Sequence, residues 1–168
     1  MVSGSLASSF HGDPRATNDF DLVIDPNLKS LNRFVESLPG DWYASKDAAQ
    51  AALRQRSMFN VIDVASGWKA DLIIRKDRSF SLLEFSRKVP AKILGIEVAV
   101  VSAEDSILSK LEWSRESGSD RQYHDALGVA LLNLKGLDKD YLKQQSKDLN
   151  VEELLTRLLL ELDLHKSV

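Results

Sequence analysis

One stretch of the sequence decides the fold: GSLASSFHGDPRATNDFDLVI, residues 4–24. Its last six residues alternate, with apolar side chains at positions 20, 22 and 24 and acidic ones at Asp19 and Asp21. Such alternation is typical of a β-strand, and it predicts that Asp19 and Asp21 project from one face, about 7 Å apart. A divalent cation between them would relieve their repulsion, and hard oxygen ligands suit Mg²⁺. The alternative is a turn with two solvated acids.

The start of this stretch has the features of an anion-binding site. Gly4 and Ser5 precede a short predicted helix, residues 6–10. Glycine lets a phosphate approach the backbone, the N-terminus of a helix offers free N–H groups, and Ser5 adds a hydroxyl donor. Thirteen residues separate Ser5 from Asp19. Among them, Arg15 and Thr17 are further candidates for phosphate contact. A triphosphate bound with Mg²⁺ needs both the anion site and the carboxylates.

A third acid is expected nearby, on a second alternating stretch. Residues 68–75, WKADLIIR, place Asp71 as the sole acid in an otherwise apolar strand centre. Three carboxylates on adjacent strands are what a two-metal phosphoryl-transfer site requires, and one of them would also act as the general base. Asp63, in the neighbouring β-rich run, is the alternative third acid.

The pattern along the chain predicts an α+β fold class. Apolar periodicity predicts mixed strands and helices up to residue 101 and helices alone from residue 102. The predicted strands cover residues 19–24, 42–43, 58–64, 68–74 and 93–101, and the last of these regions is interrupted at Gly95. The predicted helices cover residues 6–10, 28–38, 45–53, 102–116, 120–134, 138–149 and 151–162. Ser102-Ala-Glu-Asp105 resembles the capping box of a helix N-terminus, with Asp in place of Glu or Gln.

These motifs resemble those of a known superfamily. Gly4-Ser5, the segment Pro14-Arg-Ala-Thr17 and Asp19-x-Asp21 look like the motifs of the nucleotidyltransferase fold, the superfamily that includes DNA polymerase β. Downstream, SAED (102–105), KLEWSR (110–115) and RQYHD (121–125) are similar to the Lys…Arg and Asp motifs of the abortive-infection toxin-like nucleotidyltransferases. The resemblance covers residues 3–134.

The resemblance implies a nucleotidyltransferase-like core at residues 1–101, a mixed β-sheet flanked by helices, and a helical subdomain at residues 102–168 packed on it. In that family the Gly-Ser pair binds triphosphate, the acids hold Mg²⁺, and the helical Lys and Asp complete the site. By resemblance, these roles fall on Ser5, Asp19, Asp21, Asp71, Lys110 and Asp125. The family's Gly-Ser follows a full core strand, whereas only three residues precede Gly4, so we expect the core to be truncated at its N-terminus.

The expected activity is transfer of a nucleoside monophosphate from an NTP to RNA, a protein or a small molecule, with Mg²⁺ or Mn²⁺ as the cofactor. The predicted catalytic metal ligands are Asp19, Asp21 and Asp71. The predicted nucleotide-binding residues are Gly4, Ser5, Arg15, Thr17, Lys110 and Asp125. The alternative is a catalytically inactive protein of this fold that acts in binding or regulation, with a partner protein or as a homodimer, as in a toxin–antitoxin system. Nucleotide hydrolysis without an acceptor is a third interpretation.

Helical periodicity leaves the roles of Lys110 and Asp125 open. Lys110 borders the predicted buried stripe of its helix, Arg115 falls on that stripe, and Asp125 lies on an apolar face of the next helix. Because charges on apolar faces need partners, a structural Arg115–Asp125 ion pair is as well supported as contact with a nucleotide.

Composition and charge exclude several classes of protein. The 168 residues include no cysteine, which excludes thiolate zinc sites, disulfide scaffolds and cysteine nucleophiles. No apolar stretch reaches the roughly 20 residues of a membrane helix, and the first residues lack the basic start and apolar run of a signal peptide, so we expect a cytoplasmic protein with no membrane contact. The net charge of -3 argues against nucleic-acid binding by charge alone. Residues 69–92, which are basic, are either a guide for an RNA acceptor or a solvated face.

Overall fold

Two strands with period-two alternation, Asp19–Ile24 and Lys69–Ile74, lie side by side at the centre of one mixed sheet. The computed structural model describes residues 1–12 and 19–165. The strands of this part of the chain are β1 (Val2–Ser3), β2 (Asp19–Ile24), β3 (Trp42–Tyr43), β4 (Met58–Asp63), β5 (Lys69–Ile74), β6 (Val89–Ile93) and β7 (Ile96–Val100). Their order in the sheet is β3-β4-β5-β2-β1-β7-β6. The central pair β2–β5 is parallel, as is β1–β7, and the other neighbouring pairs are antiparallel.

Helices make up much of the remaining described chain. They are α1 (Gly4–Phe10), α2 (Leu28–Glu36), α3 (Lys46–Gln55), α4 (Ser79–Ser86), α5 (Ala103–Ser117), α6 (Asp120–Leu132), α7 (Lys139–Asp148) and α8 (Glu152–His165). No helix within residues 1–12 and 19–165 is long and apolar enough to cross a membrane. The described residues form two compact units, one of residues 1–6 and 19–100 and the other of residues 7–12 and 101–165.

The first unit buries one face of its sheet under helices α2 and α3. The buried cluster consists of Leu31, Ala49, Ala52, Phe59, Val61, Leu72 and Ile74. Leu72 and Ile74 come from β5, and Leu22 and Ile24 of β2 pack against the cluster. Because side chains alternate along a strand, the odd-numbered residues of β2 and β5 project from the opposite face. The burial of the even-numbered residues therefore determines which face carries the acidic side chains.

An ion pair closes the β2–β5 pairing where both strands end. Asp25 follows β2 and Arg75 follows β5, and Nη2 of Arg75 lies 2.8 Å from Oδ2 of Asp25. The hydrogen bond from Arg75 is the main cause that lowers the pKa of Asp25, with a further contribution from Arg56. The Arg75 N–H also donates to the Ile24 carbonyl at 2.8 Å, which continues the strand pairing beyond the last residue of β5. Arg75, one of the basic residues of segment 69–92, thus has a structural role.

The second unit is helical, and the predicted capping box starts its longest helix. Ser102 is the N-cap of α5, and its Oγ accepts from the Asp105 N–H at 3.1 Å and donates to Asp105 Oδ2 at 2.7 Å. The hydroxyl of Tyr141 in α7 donates to the other carboxylate oxygen of Asp105, whose side chain is fully buried. The predicted helix start at Ser102 is confirmed, and the Asp105 carboxylate, which bonds the Ser102 hydroxyl, also ties α7 to the start of α5.

Tyr123 of α6 is the largest fully buried side chain of the second unit. Its hydroxyl donates to Glu161 Oε1 of α8 at 3.0 Å, and the guanidinium of Arg157 lies 4.2 Å from the centre of its ring. Burial is the main cause that raises the pKa of Tyr123 to about 12, and the hydrogen bond to Glu161 adds to it. This contact joins α6 to α8 with the phenol in its neutral form.

The structure confirms the α+β fold class, and it differs from the predicted elements in detail between residues 79 and 100. Residues 93–101 were expected to form a strand region interrupted at Gly95, and the interruption is confirmed: the chain there finishes β6, turns at Leu94 and Gly95, and continues as β7. Both turn residues have positive φ, 50° and 85°, as a tight hairpin turn requires. Pro90 lies inside β6, where it is tolerated because β6 is an edge strand. Helix α4 was not predicted, since Arg78 provides no side-chain cap for it.

Because of Tyr123, the stability of the second unit decreases at alkaline pH. A pKa raised from 10.0 to about 12 means that the folded state holds the phenolic proton more tightly than the unfolded state. The stabilisation is complete below pH 10 and is lost as the pH rises through about 12. We expect the free energy of unfolding to fall more steeply over this range for the wild type than for Tyr123→Phe. Phenolate absorbance should lose a component that titrates near pH 12 in Tyr123→Phe, and a titration curve that keeps this component in the variant would contradict the assignment.

Candidate active site

The parallel register of β2 and β5 brings two carboxylates together. Asp21 pairs with Asp71 and Asp19 pairs with Lys69. Paired residues of neighbouring strands project from the same face, and their backbones lie about 4.8 Å apart. Asp21 and Asp71 are therefore side by side on the face opposite the buried cluster, with Asp19 and Lys69 in the adjacent row.

The row that contains the two acids continues on both sides across the sheet. Ser3 of β1 pairs with Asp21, and Asn60 of β4 pairs with Asp71. We call this part of the sheet the acidic face and define it by Asp19, Asp21, Asn60, Lys69 and Asp71. Because four strands contribute to one row, the position of each side chain depends on the pairing of the whole sheet.

Two side chains of the acidic face contact the carboxylate of Asp71. Nδ2 of Asn60 donates to Asp71 Oδ1 at 2.5 Å. Nζ of Lys69 lies 3.3 Å from the same oxygen and 3.6 Å from Asp19 Oδ1. Hydrogen bonding to Asp71 is the main cause that raises the pKa of Lys69, and the charges of Asp71 and Asp19 contribute. The ammonium group thus lies between two of the three predicted metal ligands.

Gly4 meets the acidic face at the start of α1. Its φ is +60°, and a Cβ added there would lie 1.9 Å from Asp21 Oδ2. Only glycine permits this approach, because any side chain would displace the carboxylate. Ser5 follows as the second residue of α1. The structure thus places the predicted phosphate-binding glycine against Asp21, whereas Arg15 and Thr17 lie outside the described residues.

The oxygens of the acidic face suit a hard divalent cation. Asp21 and Asp71 supply carboxylates from neighbouring strands, and Asp19 supplies another in the adjacent row; carboxylate oxygens are the ligands that Mg²⁺ takes in phosphate-handling sites. Among residues 1–12 and 19–165, no group of three or more Asp, Glu or His side chains is placed to hold a metal ion. The donor chemistry fits through the Asp21–Asp71 pair, and a three-carboxylate site stays a prediction.

Asp63, the alternative third acid, has a structural role in a turn. It ends β4, where its carboxylate accepts from the Ala65 N–H at 3.0 Å and from the Ser66 hydroxyl. The hydrogen bond from Ser66 is the main cause that lowers the pKa of Asp63. Asp63 therefore stabilises the turn between β4 and β5, and Asn60, three residues earlier, occupies the β4 position beside Asp71.

In the second unit, Lys110 and Asp125 lie close together. Nζ of Lys110 is 3.5 Å from Asp125 Oδ2, and Lys110 is only 7% exposed although it carries a charge. The structural pair considered for Asp125 was with Arg115, and this partner was wrong. Arg115 instead donates to the backbone carbonyls of Leu149 and Asn150 after α7. The charge of Asp125 is thus balanced by Lys110, the residue that shares its predicted role.

Sequence reasoning missed two members of the acidic face. Lys69 was assigned to the basic segment 69–92, although it precedes Asp71 by two residues and so shares its face. Asn60 gave no signal in the sequence, because its place beside Asp71 depends on the antiparallel register of β4 and β5. The alternation of side chains along β5 could therefore have identified Lys69, but it could not have identified Asn60.

The close approach of Gly4 to Asp21 can be tested by substitution. Gly4→Ala introduces both a strained φ and a clash with the carboxylate, and we expect it to lower the free energy of unfolding by more than about 2 kcal/mol. Gly67→Ala is the matched control, since Gly67 has a φ of +74° and open space around it; it should cost about 1 kcal/mol. In an Asp21→Ala background the extra cost at Gly4 should largely disappear when measured by urea unfolding. An equal cost at both glycines would contradict the described approach.

Comparison with known proteins supports the fold. The structure is similar to the crystal structure of an antigenic nucleotidyltransferase-like protein from Paracoccidioides brasiliensis, with a TM-score of 0.60 and 18% sequence identity; the match covers 95% of this chain and 78% of that chain. No model of a known protein family matches the sequence, and the search of curated proteins finds no significant match. The chain has a nucleotidyltransferase-like fold.

Proposed function

We propose that this protein is a Mg²⁺-dependent nucleotidyltransferase that transfers a nucleoside monophosphate from an NTP to an acceptor hydroxyl. The observation that carries the proposal is the pairing of Asp21 with Asp71 on one face of the sheet, with Gly4 against Asp21. Two carboxylates held side by side repel each other, so their placement gains from a cation shared between them. The nucleotidyltransferase-like fold of the chain supports the same interpretation.

Each residue of the site has a proposed task. Asp19, Asp21 and Asp71 would hold Mg²⁺, or Mn²⁺ in its place, and the bound ion would supply positive charge against the reacting phosphate. Gly4 and Ser5, at the start of α1, would bind the triphosphate. Arg15 and Thr17 are proposed as further phosphate contacts from the sequence alone.

The proposed transfer breaks one bond and forms one. The acceptor oxygen attacks the α-phosphorus of the NTP, the bond from that phosphorus to pyrophosphate breaks, and pyrophosphate leaves. The hydroxyl proton passes to a carboxylate, for which we propose Oδ2 of Asp71, because Oδ1 already accepts from Asn60. Asn60 would thereby orient the base, and Asp71 would hold the proton after the attack.

We also propose a subtype for this enzyme. The helical motifs of the sequence favour the abortive-infection toxin-like nucleotidyltransferases, in which Lys110 and Asp125 would complete the nucleotide site. The two side chains lie within 3.5 Å of each other, so one ligand could contact both. The acceptor is proposed to be RNA, a protein or a small molecule.

One observation favours a second candidate function. Lys69 already contacts both Asp19 and Asp71, so the acidic face has an internal source of positive charge. A protein that uses the fold for binding or regulation, alone or with a partner in a toxin–antitoxin pair, would need no metal and would be stable with this arrangement. The two candidates differ in whether a divalent cation and an NTP bind together.

Calorimetry with each of the four NTPs in the presence of Mg²⁺ tests the proposal. We expect binding of at least one NTP that depends on Mg²⁺ and weakens by about 100-fold or more in Asp21→Asn and in Asp71→Asn. Glu97→Gln is the matched control, because Glu97 is an exposed carboxylate on β7 of the same sheet; it should bind as the wild type does. NTP binding that does not depend on Mg²⁺, or that is unchanged in both variants, would contradict the proposal.

The same variants distinguish transfer from the alternatives. NTP labelled at its α-phosphate, incubated with cellular RNA and protein, should leave label on an acceptor with the wild type and not with Asp71→Asn. Free nucleoside monophosphate without a labelled acceptor would indicate hydrolysis. Neither outcome, together with no Mg²⁺-dependent binding of an NTP in calorimetry, would favour the inactive, regulatory candidate.

A further inference from the structure

Lys69 lies within the acidic face, between carboxylates of two neighbouring strands. It shares its row with Asp19 and its strand face with Asp71. Its Nζ lies 3.3 Å from Asp71 and 3.6 Å from Asp19, and about a third of its side chain remains exposed. One ammonium group therefore bridges carboxylates from two strands.

This bridge uses the oxygens that a divalent cation would need. Oδ1 of Asp71 is already shared between Nζ of Lys69 and Nδ2 of Asn60. A hard cation bound to Asp71 and Asp19 would lie within a few ångströms of the ammonium, and like charges at such a distance repel strongly. The lysine is flexible and partly exposed, so its side chain has room to move away.

We propose that Lys69 is a built-in counter-cation that competes with the divalent ion for Asp71 and Asp19 and so sets the affinity of the acidic face for metal. The inference rests on the metal site of the proposed function and adds a regulatory residue to it. Lys69 balances the carboxylates until the ion binds, and it leaves Asp71 when the ion takes its place. The lysine thus keeps the affinity below that of the carboxylates alone.

Binding of Mn²⁺ to the full chain, without nucleotide, tests the inference. The electron paramagnetic resonance signal of free Mn²⁺ reports the bound fraction and requires no catalysis. We expect Lys69→Met to bind Mn²⁺ about tenfold more tightly than the wild type, as follows from removing one positive charge about 5 Å from a divalent ion in a partly exposed site. The difference should shrink at high salt, because the competition is electrostatic. Lys69→Arg, which keeps the charge, should stay close to the wild type.

A second lysine provides the matched control. Lys92 lies on β6 of the same sheet and is exposed, and it pairs in register with Glu97. Lys92→Met should leave Mn²⁺ binding unchanged, which shows that loss of a positive charge elsewhere on the sheet has no such effect. Circular dichroism of each variant verifies that it is folded, and Lys69→Gln replaces Lys69→Met if the latter is not.

The outcomes separate this inference from the proposed function. Tighter binding by Lys69→Met, including the case in which only that variant binds, supports the inference. Binding by the wild type that is lost in Asp21→Asn but equal or weaker in Lys69→Met overturns the inference and leaves the metal site intact. Absence of Mn²⁺ binding in both the wild type and Lys69→Met overturns the inference together with the metal site.

Discussion

The candidate site depends on the parallel pairing of β2 with β5. Six consecutive residue pairs, from Asp19 with Lys69 to Ile24 with Ile74, hold the two strands in one register. A slip by one residue on either strand would turn its acids toward the buried cluster and its apolar side chains to the open face. The burial of Leu72 and Ile74 and the Asp25–Arg75 ion pair at the strand ends oppose such a slip. The buried cluster on one face of the sheet thereby positions the acidic side chains on the other face.

Charge balance accounts for the composition of the acidic face. Three acids on two strands repel one another, and Lys69 and Asn60 are the neighbours that compensate them. The approach of Gly4 to Asp21 brings the start of α1 to the same carboxylates, at a position that no side chain can occupy. An acidic pair, an adjacent ammonium group and a glycine at the start of a helix therefore lie together on one face of the sheet, and this is the arrangement on which the proposed Mg²⁺ and phosphate site rests.

The sequence predicted the parts of this arrangement that follow from local periodicity. Alternation was sufficient to identify β2 and β5 and to place Asp19 with Asp21 on one face. The pairing of Asp21 with Asp71 required the strand order, which depends on non-local contacts that periodicity does not encode. For the same reason Asn60 was missed, and Asp63 was weighed as a third acid although it stabilises a turn. On the helices, periodicity left an Arg115–Asp125 ion pair as well supported as contact with a nucleotide. The partner it offered was wrong, because an apolar stripe gives the direction of a side chain and not its neighbour.

The central claim is that the β2–β5 register makes Asp21 and Asp71 the ligands of one divalent ion. Crystals of the protein soaked with Mn²⁺, with diffraction collected at the manganese absorption edge, test it most directly. The account predicts an anomalous peak within about 2.5 Å of carboxylate oxygens from both Asp21 and Asp71. A peak elsewhere on the protein, or none at these residues at a Mn²⁺ concentration that saturates binding in solution, would contradict it.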